Sequence, residues 1–229
     1  MTAVRICVTP LSFMSSPDSV EVFSRLKKRY DLSDCSDEFL HFNNPYEILV
    51  ATILSAQTTD RCVNMVTKEL FRRYPDAKSL AGADIEEVEK IIHATGFFHT
   101  KARNIIAASR KVITEFGGEV PDRMEDLISL PGVGRKTANI VLGHAFSKTV
   151  GIAVDTHVRR VSRRLGLTDY DEPDKIEVDL TRVFPREYWA DINRLFILHG
   201  RRVCTARKPA CDACYLADLC RYAASVHSS

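Results

Sequence analysis

The 229-residue sequence has no uninterrupted apolar run near the roughly 18 residues that a transmembrane helix needs. It also lacks internal repeats, low-complexity tracts and obvious linkers. Ten glycines are too few for a collagen-like chain, and 45% hydrophobic with 27% charged residues is typical of a globular protein rather than a disordered one. The apolar run in the first sixteen residues is short and is broken by Pro10, unlike a secretory signal. We therefore expect an intracellular protein with no membrane partner and with one large or two interlocked domains.

Strand-like alternation is also missing, whereas helix signals recur along the chain. Asn44 and Pro45 combine a capping residue with a proline at the first helical position, and the run that follows is apolar nearly all round, as in the middle of a helical bundle. A further helix is predicted from Lys101 to Phe116. Other predicted N-caps are Thr59 or Asp60, Asp84, Asp122 and Asp155. The pattern indicates an all-α fold.

The small net charge of +2 hides a sorted distribution of charge. Residues 131–164 contain seven basic residues and one acid, whereas residues 165–200 contain eight acids and four bases. In the helix predicted from Asp155, four arginines lie opposite an apolar face: Arg159, Arg160, Arg163 and Arg164. A solvated helix face is the ordinary interpretation, but such a face usually mixes charges of both signs. The local basic field favours a polyanion as the partner.

The seven cysteines do not suit a disulfide framework, because their number is odd and three of them (Cys7, Cys35 and Cys62) are scattered. The other four crowd into seventeen residues with the spacing C-x6-C-x2-C-x5-C; they are Cys204, Cys211, Cys214 and Cys220. In an intracellular chain such a cluster indicates a metal site. Zinc sites usually have two short C-x2–4-C pairs, and this segment has one. The spacing therefore favours an iron–sulfur cluster, with zinc as the alternative.

The segment LPGVGRKTA joins two helical runs through a turn that contains Gly132 and Gly134. The glycines let the backbone turn sharply, with the amide N–H groups of Gly132, Val133 and Gly134 directed outwards. The next helix begins at the same place, so its positive end faces the same way, and the two features together suit a phosphate. The alternative is a tight connection with no ligand. The full string resembles the hairpin of helix–hairpin–helix proteins, which bind the DNA backbone rather than its sequence.

Three separated motifs together resemble the endonuclease III family: LPGVGRKTAN, then VDTHVRR, then the four-cysteine segment. The likeness runs from about Ser24 to Arg221 and includes NPYEILVATILSAQTTD and LHGRRVCTARKPAC. The family comprises bifunctional DNA glycosylase/AP lyases that act on oxidised pyrimidines. The resemblance implies a monomer that binds double-stranded DNA with damaged bases or abasic sites, and a place in the cytoplasm with the nucleoid.

The resemblance also implies an architecture of two helical domains with a cleft between them. A multi-helix barrel domain with the helix–hairpin–helix is expected at 37–149. An iron–sulfur cluster domain is expected from 1–36 and 150–229, with a [4Fe-4S] cluster on the four clustered cysteines. The cluster is expected to be structural and to shape a loop that presents Arg207 and Lys208 to phosphates.

By resemblance, Lys136 attacks the sugar C1′ and forms a Schiff base, and Asp155 accepts the proton of the lysine and stabilises the cationic sugar. From the residues alone, Lys136 could be a phosphate-binding lysine, and Asp155 could be only an N-cap. A lysine is a nucleophile only when neutral, and both the positive helix end and neighbouring Arg135 oppose its ammonium form. After base excision, β-elimination from the imine cleaves the strand 3′ to the lesion.

Several weaker predictions complete the expected site. By resemblance, Gln57 fills the gap left by the flipped base, although it could be only a helix-terminal amide. Asp60 and His157 are predicted to face the base pocket, although Asp60 could be only a helix cap and His157 only a first-turn histidine. The other predicted DNA contacts are Gly132, Val133, Gly134, Arg135, Arg159, Arg207 and Lys208. In the family the loop matching Gly96 to Thr100 wedges into the duplex. Because its sequence departs from the family form, either Phe98 or His99 could fill that role.

Two other functions are compatible with parts of the sequence. A monofunctional glycosylase acting on mismatches or adenine lacks a lysine at this place, so Lys136 argues against it. A non-catalytic DNA-binding or electron-transfer iron–sulfur module explains the hairpin and the cysteines. It does not explain why Lys136 and Asp155 both occur in the sequence.

Overall fold

The computed structural model describes residues 17–33 and 38–227, and within these ranges the chain forms α-helices and short 3₁₀ turns without a strand. The predicted all-α class is confirmed. Cys7, Cys35 and the first sixteen residues lie outside the described ranges. Within those ranges no helix has both the length and the apolar character needed to cross a membrane.

Seven consecutive helices surround a first hydrophobic cluster, whose buried members run from Tyr46 to Leu142. These helices are α2 (Pro45–Leu54), α3 (Asp60–Arg73), α4 (Ala77–Ala81), α5 (Ile85–Ile92), α6 (Phe98–Phe116), α7 (Met124–Ile128) and α8 (Arg135–Phe146). As predicted, α2 is apolar nearly all round, and its residues from Tyr46 to Leu54 are all buried. It therefore lies in the middle of the bundle.

The remaining helices build a second hydrophobic cluster from both ends of the described chain. They are α1 (Ser19–Arg29), α9 (Thr156–Leu165), α10 (Pro173–Val183), α11 (Trp189–Arg202) and α12 (Arg221–His227). The buried members of the cluster lie in two stretches, Val22 to Leu32 and Ile152 to Leu216, and α12 packs on α9. The described part of the chain thus begins in the second cluster, crosses to build the first, and returns to the second. The expected domain limits at 37–149 and 150–229 stay a prediction.

Helix ends follow the sequence signals at most positions. The side chains of Asn44, Thr59 and Asp84 accept hydrogen bonds from first-turn amides, so Thr59 rather than Asp60 caps α3. Asp122 does not cap α7, because its carboxylate pairs with Lys148 instead.

The start of α6 also differs from the sequence prediction. The helix begins at Phe98, three residues before Lys101, because Gly96 and Phe97 turn the chain with positive φ angles of 65° and 48°. This tight turn ends the 3₁₀ segment after α5 and leaves the first turn of α6 at the surface. The loop predicted to wedge into DNA is therefore largely helical.

Candidate active-site cleft

A cleft of about 1040 Å³ lies between the two hydrophobic clusters and takes its walls from both. Six of the predicted site residues line it: Gln57, Asp60, Lys136, Asp155, His157 and Arg159. Ile48 contributes from the side of the first cluster and Val154 from the side of the second. The proposed amine and carboxylate therefore share one cavity although they belong to different halves of the fold.

Lys136 is the second residue of α8 and is exposed at the edge of the cleft. The N-cap of α8 is Gly134, which has no side chain to accept a bond from the first-turn amides, so the positive end of the helix is left open. Gly132 adopts a φ of +79°, and a Cβ there would lie 2.9 Å from Asn104 Nδ2. Glycine is therefore required at this turn by both backbone conformation and space.

Asp155 is the N-cap of α9, as predicted. Its Oδ1 accepts hydrogen bonds from the amides of His157 and Val158, each at 2.8 Å. No hydrogen bond to Oδ2 occurs within the part of the chain that the structure describes, and the residue lines the cleft. The capping role and a role in the cleft are thus compatible, because they use different oxygens.

The hairpin residues around Gly132 have distinct environments. The amide of Val133 donates to Leu130 O at 3.1 Å and its side chain is buried, so its N–H group stabilises the turn. Gly132 and Gly134 are exposed. An anion at this hairpin would therefore meet the glycine amides and the first turn of α8 before it met the amide of Val133.

Glu177 of α10 connects the second cluster to the helix that carries Lys136. Its side chain is only 7% exposed; Oε2 accepts from Arg135 Nε at 2.7 Å, and Oε1 accepts from Asn139 Nδ2 at 3.0 Å. This contact raises the pKa of Arg135. A Cβ at Gly151 would overlap Glu177 Oε1, so the absence of a side chain there makes room for the carboxylate. We call Glu177, Arg135 and Asn139 the Glu177 clamp.

Asp60 and His157 form part of the cleft wall. Asp60 Oδ2 pairs with Arg201 Nη2 at 2.8 Å, which joins α3 to α11 across the cleft. His157 is half-buried, and this burial lowers its pKa. Its Nδ1 lies 3.1 Å from Arg160 Nη2, and a Cβ at Gly200 would approach the same nitrogen to 2.8 Å.

The four arginines of α9 form two pairs that differ in their contacts. Arg160 donates to the carbonyls of Cys204 and Gly200, and Arg164 donates to the carbonyls of Thr205 and Ala206 at 2.7 and 2.9 Å. These two side chains brace the cysteine segment. Arg163 pairs with Asp171 at the surface, and Arg159 is exposed and lines the cleft. All four arginines nevertheless line one surface depression beside the cysteine segment.

The four clustered cysteines are free and line one small, largely apolar pocket. No three described His, Cys, Asp or Glu side chains converge as the ligands of a single ion would. A zinc ion needs its sulfur ligands about 2.3 Å away on a tetrahedron. A [4Fe-4S] cluster takes one thiolate on each of its four irons, so its sulfur ligands lie farther apart around a larger centre. The four thiols that line one apolar pocket are the donor set that a [4Fe-4S] cluster takes.

The segment between Cys204 and Cys211 presents the two predicted phosphate contacts. Arg207 and Lys208 are both exposed. The segment is held at its base by Ala210 N, which donates to Val203 O, and internally by Thr205 Oγ1, which donates to Lys208 O at 2.6 Å.

Phe97 is a surface residue that the sequence reasoning missed. Its side chain is 70% exposed. By contrast, Phe98 packs against the first cluster, and His99 Nδ1 pairs with Glu89 Oε2 at 2.8 Å. Gln57 on the neighbouring loop also has a positive φ, 54°. The signal available in the sequence was the position of Phe97 directly after a turn glycine.

Two family models match the chain. Residues 50–186 match the model described as HhH-GPD superfamily base excision DNA repair protein, and residues 204–220 match the iron-sulfur binding domain of endonuclease III. Among curated proteins, the chain is 54% identical over 202 residues to endonuclease III of Synechocystis sp., covering 88% of this chain and 91% of that protein. The second match supports the iron–sulfur assignment of the cysteine pocket.

Two solved structures are similar to more than nine-tenths of the chain. One is a non-covalent complex of endonuclease III with DNA, with a TM-score of 0.84, 39% identity and coverage of 92% of this chain and 97% of that one. The other is a trapped covalent intermediate of endonuclease III with DNA, with a TM-score of 0.83, 40% identity and coverage of 91% and 96%. The match in fold therefore extends over both hydrophobic clusters.

A methyl group at Gly151 tests the Glu177 clamp. Gly151→Ala should destabilise the protein by about 1–3 kcal/mol, because the new Cβ must displace the buried carboxylate or shift the backbone. Gly143→Ala is the matched control: a Cβ there meets nothing within 4 Å, so the helical alanine should stabilise by roughly 0.5–1 kcal/mol. Urea unfolding of both variants gives the comparison. Equal stability of Gly151→Ala and the parent would contradict the clamp.

Replacing Arg164 tests the bracing of the cysteine segment. Arg164→Gln loses the hydrogen bonds to Thr205 and Ala206, so the bound cluster should be lost severalfold faster in the presence of a chelator. Iron and acid-labile sulfide per chain, followed with time, measure this loss. Arg163→Gln, which breaks only an exposed pair with Asp171, should behave like the parent. Identical rates for the two variants would exclude the bracing role.

Proposed function

We propose that this chain, which belongs to the endonuclease III family of the HhH-GPD superfamily, removes oxidised pyrimidines from duplex DNA and then cleaves the abasic strand. The family gives the class of activity, a DNA glycosylase of base excision repair with lyase activity. One observation carries the finer proposal: Lys136 and Asp155 line the same cleft, each at the start of a helix from a different hydrophobic cluster.

Lys136 acts as the nucleophile in this proposal. Its Nζ, once neutral, forms a bond to C1′ of the flipped nucleotide while the bond from C1′ to the base breaks. The sugar ring then opens to a Schiff base with Lys136. Loss of a proton from C2′ expels the 3′ phosphate by β-elimination, and water later hydrolyses the imine to release the enzyme. The open position of Lys136 at the cleft edge supports this role.

Asp155 is proposed to accept the proton of Lys136 and to stabilise positive charge on the sugar. Two backbone amides fix Oδ1, so the carboxylate is already oriented before the substrate binds. Oδ2 is then available for the proton and for the developing cation.

The DNA backbone is proposed to bind at three places around the cleft. The hairpin offers the amides of Gly132 and Gly134 and the open first turn of α8, while the amide of Val133 serves the turn itself. Arg159 adds a charge at the rim. The cysteine segment adds two more through Arg207 and Lys208. Arg135 remains a predicted contact, with its guanidinium half-exposed beside Glu177.

Base extrusion is assigned to two exposed side chains on adjacent loops. Gln57 is proposed to fill the gap left by the flipped base. Phe97 is proposed as the wedge in place of Phe98 or His99, because those two side chains already have partners in the protein. Backbone strain at functional positions of this kind is common, and both Gln57 and Phe97 have positive φ angles.

The four clustered cysteines would hold a [4Fe-4S] cluster, which supplies rigid covalent cross-linking of the segment that contains Arg207 and Lys208. No step of base excision requires it to change oxidation state. The division into a 37–149 domain and a 1–36 plus 150–229 domain is proposed on the same basis as the two hydrophobic clusters. A single copy supplies both Lys136 and Asp155, which supports action as a monomer, and we propose that it works in the cytoplasm with the nucleoid.

Borohydride trapping tests the assignment of the nucleophile. The parent protein should cross-link to a thymine-glycol duplex, Lys136→Gln should not cross-link at all, and Asp155→Asn should react about 100-fold more slowly, since it loses a preorganised charge. Lys68→Gln is the control, because Lys68 is a second lysine in the same cleft, and it should trap like the parent. Trapping of Lys136→Gln at the parental level would overturn the mechanism. A parent that binds damaged DNA but leaves an abasic strand intact would indicate a non-catalytic module.

The wedge assignment is tested in the Lys136→Gln background, where binding occurs without turnover. Phe97→Ala should weaken binding to a thymine-glycol duplex about tenfold, because stacking of an aromatic side chain on a base contributes about 1–3 kcal/mol. Met65→Ala removes another exposed apolar side chain, away from the cleft, and should leave the affinity unchanged. Unchanged affinity in Phe97→Ala would exclude Phe97 as the wedge.

A further inference from the structure

Lys101 is a buried lysine that the proposed chemistry does not use. It lies in the first turns of α6, and the residue is only 4% exposed. Its Nζ donates to Thr58 Oγ1 at 2.6 Å and to Thr95 O at 2.8 Å. Thr58 Oγ1 in turn donates to the same carbonyl at 2.5 Å. Three polar groups therefore form a closed triangle beneath the surface.

A lysine is a costly residue at this position. Within the described ranges no carboxylate forms an ion pair with Lys101, and burial lowers its pKa. An apolar side chain of similar length would avoid the desolvation penalty that a buried ammonium group carries. Core packing alone therefore does not explain why a lysine occupies this position.

Those contacts join two separate loops. Thr58 directly follows Gln57, and Thr95 is two residues before Phe97. The backbones of Gln57 and Phe97 have positive φ angles of 54° and 48°, conformations that persist in non-glycine residues only when the surroundings hold them. The triangle is the polar link between these strained positions, and Cys62 Sγ reinforces it by donating to Ala94 O at 3.2 Å.

We propose that Lys101 is a positioning residue that fixes the Gln57 loop and the Phe97 loop relative to each other, so that both side chains enter the duplex together. The inference rests on the proposed function, because it assumes that these two side chains act during base extrusion. Lys101 does not touch the DNA or the reacting atoms. Its Nζ instead donates to Thr58 on one loop and to Thr95 on the other, and so fixes the spacing between the two loops.

This arrangement separates extrusion from chemistry. Both loops must be correctly placed when a base is unstacked from a duplex, and an error of about 1 Å in such placement can reduce rates by as much as about 100-fold. Attack on an abasic site in a single strand needs no base to be unstacked. Loss of Lys101 should therefore impair reaction with duplex lesions and spare reaction with a single-stranded abasic oligonucleotide.

The experiment compares Lys101→Met, which keeps the length of the side chain without its donors, with Lys101→Arg, which keeps the charge and the donors. A 2-aminopurine placed beside thymine glycol in the duplex reports unstacking by its fluorescence. Lys101→Met should lose most of this signal and excise thymine glycol about 10- to 100-fold more slowly, while borohydride trapping on the single-stranded abasic oligonucleotide stays within about twofold of the parent. Lys101→Arg should restore part of the unstacking signal.

Two further variants separate positioning from general destabilisation. Lys111→Met removes a partly exposed lysine of the same helix and should behave like the parent in both assays. Thr58→Val removes the hydroxyl that accepts from Lys101 Nζ and donates to Thr95 O, so that only the direct bond from Lys101 to Thr95 O remains. It should reproduce the selective loss and should add little when combined with Lys101→Met. It also carries the test if Lys101→Met does not fold.

A parental unstacking signal in Lys101→Met or Thr58→Val would overturn the proposal. So would an equal loss in both variants on duplex and single-stranded substrates, since that result indicates general damage. Failure of the proposed function is distinguishable from these outcomes, because the parent itself would then show no trapping on either substrate.

Discussion

The buried carboxylate of Glu177 holds together the two sides of the cleft, one carrying Lys136 and the other Asp155. Lys136 and Asp155 belong to helices that pack on different hydrophobic clusters, so a small rotation between the clusters would change the distance between them. Glu177 opposes such a rotation because it binds Arg135, the immediate neighbour of Lys136, and Asn139 one turn later. A buried carboxylate is destabilising unless it has partners. Glu177 therefore favours the one arrangement of the two clusters in which Arg135 and Asn139 both reach it. The salt bridge of Asp60 and Arg201 is a second contact between the halves, in the wall of the same cleft.

Helix N-termini provide much of the remaining chemistry. At α9 the positive end is capped by Asp155, which fixes one oxygen of the carboxylate and leaves the other for the cleft. At α8 the end is uncapped because Gly134 has no side chain, so the amides stay available for a phosphate. The same structural feature thus orients a carboxylate in one half and offers an anion site in the other. The backbone of both N-caps is extended, so the residue at the cap, a glycine at α8 and an aspartate at α9, decides which role each helix plays.

Local signals in the sequence predicted the helices better than the contacts between them. Caps at Asn44 and Asp155 follow from neighbouring residues, and the paired glycines at 132 and 134 predicted the turn before α8. Arg135 and its partner Glu177 are 42 residues apart in the chain, and Arg164 and the carbonyl of Thr205 are 41 residues apart. No local sequence pattern predicts contacts over such separations. Asp122 illustrates the limit most plainly, since Lys148 takes the carboxylate that the sequence assigned to a cap. For the proposed catalytic pair, the family resemblance supplied the roles, and the residues alone left simpler alternatives open.

The most direct measurement is the chemical identification of the residue that becomes attached to DNA. The borohydride-reduced complex of the parent protein with a thymine-glycol duplex can be digested and sequenced by mass spectrometry. The account predicts that the sugar remnant is found on the peptide containing Lys136, with no remnant on the peptide of Lys68, the other lysine that lines the cleft. A remnant on Lys68, on Lys208 or on any other amine would contradict it.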